Sequence, residues 1–101
     1  MRTQNVNSLL GRCESTALLL KALAHPLRLQ ILCHLTGGEK TVSDLERLCS
    51  ASQSAISQFL ARMKADDMVA SRRDDRFVYY RISDPQVSQL IGALHKIFCH
   101  D

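Results

Sequence analysis

From Ser8 to Ala24 the apolar positions Leu9, Leu10, Cys13, Ala17, Leu18, Leu20 and Leu23 recur at helical spacing, which predicts a long first helix over residues 8–24. That helix carries more apolar surface than one small domain needs. Pro26 is tolerated in a first helical turn, so Leu27 to Leu35 reads as a second apolar helix, ended by Gly37-Gly38. Ser43-Asp44-Leu45-Glu46 fits a capping box, the Ser43 hydroxyl accepting from the Glu46 amide while the carboxylate reaches back, and opens a short helix to about Leu48. After the polar break Cys49-Ser50-Ala51-Ser52, a further helix is expected from Gln53 to about Asp66, with Ser52 as its N-cap and Ile56, Phe59 or Leu60, and Met63 as its buried stripe. Two helices joined by so short a turn make residues 43–66 a helix-turn-helix candidate.

The period then changes. Val69 to Arg73 and Arg76 to Ile82 are rich in β-branched and aromatic residues around the polar pair Asp74-Asp75, which predicts a hairpin, or wing, over residues 69–82. Asp84-Pro85 opens a last helix, residues 85–100, whose apolar set is Val87, Leu90, Ile91, Leu94, Ile97 and Phe98. The fold class expected is mainly α with a small β-hairpin, a winged helix-turn-helix forming a single domain over residues 1–101. Helices 8–24 and 85–100, packed against each other across a two-fold axis, would bury the excess apolar stripe of a homodimer and space two reading heads along DNA.

With 101 residues, 46% hydrophobic and 23% charged, the composition is that of a folded globular chain rather than a disordered one. A net charge of +3 does not by itself announce a polyanion partner, but its placement is informative. Arg62, Lys64, Arg72, Arg73, Arg76 and Arg81 fall in residues 53–81, whereas residues 82–101 hold only Lys96 as a formal cation. A nucleic-acid face is therefore expected in the first stretch. Short polar side chains at the N-terminal end of a reading helix reach base edges, and Gln53, Ser54, Ser57 and Gln58 supply them; the alternative is a capped, solvated helix face. Arg72, Arg73 and Arg76 surround the wing tip, where arginine enters a minor groove or binds phosphate, or else pairs with Asp74 and Asp75. Arg62 and Lys64 are weaker candidates for the DNA backbone.

No window approaches the ~20 apolar residues that span a bilayer, and the N-terminus lacks a signal-like apolar core, so a cytoplasmic protein without a membrane partner is expected. The four cysteines would then be thiols at rest. There is no C-x-x-C, which removes zinc-knuckle and thioredoxin-type motifs. No triad-like arrangement with an orienting group is identifiable, so neither an enzyme nor a cofactor is expected.

"LLLKALAHPLRLQILCHL", "TVSDLERL" and "SQSAISQFLARMKADDMVASRRDDRFVYYRI", followed by a terminal apolar helix, resemble the ArsR family of winged-helix transcriptional repressors from about residue 15 onward. The resemblance implies a homodimer that represses by occupying double-stranded operator DNA and releases it when an inducer binds. Phe59 stands where the family usually has histidine in the reading helix, and Asp67 where it usually has glycine before the wing; both departures bear on local geometry, and a left-handed Asp67 is tolerable though less easy than glycine.

Two Cys-His pairs, Cys33-His34 and Cys99-His100, follow apolar runs. Adjacent helical residues point about 100° apart, so neither dipeptide is a chelate; helical ligands need i,i+3 or i,i+4 spacing. The family's arsenic and lead sensors carry E-L-C-x-C-x-L where this chain has Glu39 to Leu45 without cysteine. Of the zinc sensors' ligands Asp84 and His100 remain, but Gln86 and Ile97 occupy the positions between. His95 and Cys99 are i,i+4, which keeps a metal-sensing alternative open. Cys33 in "ILC" and Cys99 in "FC" match the cysteines of the sulfide-, persulfide- and redox-responsive HlyU/BigR-like branch. That resemblance implies a redox switch in which reactive sulfur or an oxidant drives the pair to a disulfide or polysulfide and loosens operator binding. The other readings are ordinary core thiols, which is how Cys13 and Cys49 are taken, and, outside DNA regulation, a winged-helix interaction module.

Overall fold

A computed structural model describes residues 8–99. Among the described residues five helices and one hairpin follow in the order α1 (Leu9–Leu23), α2 (Pro26–Leu35), α3 (Val42–Cys49), α4 (Gln53–Ala65), β1 (Val69–Asp74), β2 (Phe77–Ile82) and α5 (Pro85–Phe98). The strands pair antiparallel from Val69↔Ile82 to Asp74↔Phe77, so the turn is Asp75-Arg76, one residue later than expected. Lys40 adds a one-residue third strand through Lys40 N to Tyr80 O (3.1 Å) and Tyr80 N to Lys40 O (2.8 Å). This is the winged helix-turn-helix that the pattern predicts, and no single helix in it is long and apolar enough to cross a membrane.

Local chemistry sets the helix ends. The Ser8 hydroxyl caps α1 by accepting from Gly11 N (3.0 Å) and, as expected, the Ser52 hydroxyl caps α4 by accepting from Ala55 N (3.1 Å). For α2 the cap is the His25 ring, whose Nδ1 accepts from Leu27 N (3.2 Å), with Pro26 in the first turn. The capping box of α3 is displaced from its expected place. Thr41 Oγ1 accepts from Asp44 N (3.1 Å) and Asp44 Oδ2 from Thr41 N (3.0 Å), while Ser43 lies inside the first turn and cannot cap it. The Thr41 amide holds the Asp44 carboxyl below its ordinary range, so the box contributes fully above that range and is lost as pH falls from there through the lowered value. Thr41→Ala is expected to cost about 1 kcal/mol in urea unfolding, and Ser43→Ala only a few tenths. Asp67 has φ 59°, a left-handed conformation tolerable for aspartate though less easy than for glycine.

The core gathers around α2, α3 and α4. Ile31, Leu32, Leu45, Ile56, Leu60, Met63, Val87 and Ile91 are fully buried, and Cys49 lies in the same cluster, as its structural reading requires. The stripe of α4 is Ile56, Leu60 and Met63, which settles the choice left between Phe59 and Leu60; Phe59 is half-buried at the margin. In contrast α1 buries only Leu23, leaving Leu9 71% and Leu18 70% exposed, and α5 buries Val87 and Ile91 while Phe98 is 76% exposed. The expected apolar stripe of the last helix is thus split, its N-terminal half buried and its C-terminal end bare. Cys13, unlike Cys49, is not the core thiol expected: it is exposed beside Leu9 and Leu20 on the unburied face of α1.

Candidate nucleic-acid interface and thiol cleft

Helix α4 presents its buried stripe to the core, which turns Gln53, Ser54, Ser57 and Gln58 outward on one exposed N-terminal face. Its position is fixed from behind. Phe59 stacks against the His25 ring at 4.6 Å between centroids and under the Arg28 guanidinium at 5.2 Å, and Arg28 also donates to the Ala22 carbonyl. The phenylalanine that replaces the usual histidine therefore ties the reading helix to the α1–α2 elbow, where the two helices meet at 99°.

The wing is fastened on both faces. Ser71 and Arg73 share one face, and there Lys64 Nζ donates to Ser71 Oγ (2.8 Å), joining β1 to the reading helix. On the opposite face Arg72 donates from Nε and Nη2 to the Glu39 carboxylate (both 2.8 Å) and lies 4.8 Å over the Tyr79 ring. The sequence leaves Arg72 between DNA and a lattice with Asp74 and Asp75; its main partner is Glu39, with Asp74 more distant at 3.7 Å. Arg73 and Arg76 are exposed at the tip, Arg76 over the half-exposed Phe77 ring at 5.7 Å. Arg62 is exposed and 3.8 Å from Asp66. The Arg72 hydrogen bonds hold the Glu39 carboxyl below its ordinary range, so the clasp persists through that range and opens only as pH falls through the lowered value. Glu39→Gln should loosen the wing at neutral pH, read as faster amide exchange in β1 and β2 with α2 unchanged; equal protection would remove the clasp's role.

Away from this surface, α2 packs against α5 and a cleft of about 510 Å³ opens between them. Cys33 and Cys99 both line it. Cys33 is half-buried and Cys99 exposed, and both are thiols. Burial pushes the Cys33 thiol up, and the neighbouring Cys99 adds to the rise. His34 and His95 also line the cleft, so His34 stays close to Cys33 although helical geometry prevents the two from chelating together. His100 lies outside the described residues, and Asp84 is engaged as the cap of α5, its Oδ1 accepting from Gln86 N (2.9 Å). Among the described residues no group of three or more His, Cys, Asp or Glu is placed to hold a metal ion.

The model of a bacterial regulatory protein of the arsR family matches residues 25–71, from the α2 cap through the reading helix into the wing. The chain is 38% identical over 88 residues to the biofilm growth-associated repressor of Xylella fastidiosa (strain Temecula1), spanning 87% of this chain and 77% of that protein. It is 37% identical over 95 residues to the transcriptional activator HlyU of Vibrio cholerae, spanning 94% and 88%. Reduced HlyU from Vibrio cholerae superposes with a TM-score of 0.83 at 38% identity, over 88% of this chain and 94% of that one. The repressor BigR from Xylella fastidiosa superposes at 0.81 and 38% identity, over 87% of each chain. With the wing, the reading helix and the flanking helices all matched at this level, the chain belongs to the arsR family of bacterial regulatory proteins.

Proposed function

We propose that the chain is a cytoplasmic, homodimeric repressor that grips operator DNA through α4 and the wing tip and lets go when Cys33 and Cys99 are oxidised. Family membership makes it a transcriptional regulator and not an enzyme; the finer reading rests on one observation, two cysteines far apart in sequence on the wall of one cleft. Gln53, Ser54, Ser57 and Gln58 read bases, Arg73 and Arg76 meet the minor groove or phosphate, and Arg62 meets the backbone. Arg72 sets the wing's angle instead. The bare apolar surface of α1 and the end of α5, Leu9, Leu18 and Ile97 among it, supports burial against a second copy.

In the switch, exposed Cys99 meets the oxidant first. With a peroxide it becomes a sulfenic acid as the peroxide is reduced to alcohol or water; Cys33 then attacks that sulfur, closing a disulfide and releasing water. A bond between α2 and α5 alters how the elbow beneath the reading helix sits against the dimer helices. Duplexes selected from a randomised pool should bind the reduced protein with a steep salt dependence and the peroxide- or persulfide-treated protein at least about tenfold more weakly, with zinc alone without effect. Equal affinity of both redox states would overturn the switch; release by zinc would replace it with metal sensing, and salt-independent binding would favour an interaction module.

A further inference from the structure

Pro26 and apolar side chains make up most of the cleft around the two thiols. Leu29 faces Leu94 and Phe98 across it. Among the described residues no lysine, arginine, aspartate or glutamate lines this wall; Gln30 and the imidazoles of His34 and His95 are its polar groups. Its volume, about 510 Å³, lies within the ~300–1,000 Å³ usual for small-molecule sites. A donor bearing carboxylates would lose their hydration here with no lysine or arginine to replace it, whereas an apolar substituent gains from leaving water beside Leu29, Leu94 and Phe98.

We infer that the cleft selects an uncharged sulfur donor with apolar substituents, of the dialkyl polysulfane class, over anionic peptide-type donors. This rests on reading Cys33 and Cys99 as the switch and adds what the switch admits. The Cys99 thiolate attacks a terminal sulfur of R–S–S–S–R, forming Cys99–S–S–R and expelling R–S–S⁻, which takes up the proton the thiol gave up. Cys33 then attacks the Cys99 sulfur, forming the Cys33–Cys99 disulfide and releasing R–SH. Two thiols lose two electrons and two protons, and the trisulfane is reduced to one thiol and one persulfide.

Diallyl trisulfide and glutathione trisulfide carry the same electrophile on apolar and on anionic substituents. The test measures loss of the duplex from the reduced full chain with each, every rate divided by that donor's rate with N-acetylcysteine. Diallyl trisulfide should be at least ten times faster after this normalisation. Gln30→Lys, which sets a cation on an exposed position of the cleft wall, should narrow the ratio at least threefold, and Phe98→Lys should act in the same direction. Equal normalised rates overturn the inference, whether fast from an indifferent cleft or slow because a second copy covers it; an unchanged ratio in both lysine variants does so too. Failure of the underlying switch reads differently: Cys99→Ser would still release the duplex with diallyl trisulfide.

Discussion

Cys33→Ser and Cys99→Ser are each expected to abolish release of DNA on oxidation while leaving the reduced protein's affinity within about twofold, since an isosteric hydroxyl on a half-exposed wall removes chemistry and little packing. The two variants should differ in what accumulates. Without Cys33, the exposed Cys99 is oxidised and stops at a sulfenic acid or mixed disulfide; without Cys99, the half-buried Cys33 reacts slowly. The raised pKa of Cys33 gives the sign of the pH dependence: its thiolate is scarce at neutral pH, so closure of the disulfide in the wild type should accelerate as pH rises toward and beyond the ordinary thiol range. Mass spectrometry of trapped species beside anisotropy on duplex DNA tests both points. Oxidative release by either single variant at the wild-type rate would remove the paired mechanism.

Leu60→Ala carries the largest expected effect on stability. Leu60 is fully buried on the inner face of α4, within the cluster that includes Leu45, Ile56 and Met63. Truncating it forfeits transfer free energy and leaves a cavity between α4 and the helices behind it, a loss of about 2–5 kcal/mol. Against a typical total of ~5–15 kcal/mol this is a large fraction, so the urea midpoint should fall sharply. Because the same side chain seats the reading helix, duplex affinity should fall at temperatures where the variant is still mostly folded. A loss below about 1 kcal/mol would mean that Leu60 is not packed as described.

The periodicity of the chain predicted all five helices and the wing because their apolar spacing and end signals agree. The reading-helix face was legible for the same reason: once Ile56, Leu60 and Met63 point inward, Gln53, Ser54, Ser57 and Gln58 have only the outside left. The capping box slipped by two residues because Thr41-x-x-Asp44 and Ser43-x-x-Glu46 overlap, and the second is the closer match to the usual pattern. Burial of Leu45 and packing of Val42 on the core select the first register, a tertiary preference that no local pattern records. Glu39 with Arg72 was invisible for another reason: the partners are 33 positions apart, and the nearer Asp74 and Asp75 looked sufficient. The reach of Cys33 to Cys99 came from resemblance alone; spacing could not bring α2 and α5 together.

Fastening the wing on both faces, by Lys64 to Ser71 and by Arg72 to Glu39, restrains the hinge on which a wing could flex by itself. In the proposed dimer, reading helix and wing would then move as one unit, and a change made between α2 and α5 would reach DNA by tilting the two units relative to each other. Discrimination between redox states would reside in the distance between half-sites rather than in the bases within each. A duplex carrying a single half-site should therefore be held equally well by reduced and oxidised protein, and sensitivity to oxidation should appear only when a second half-site is placed a helical turn away.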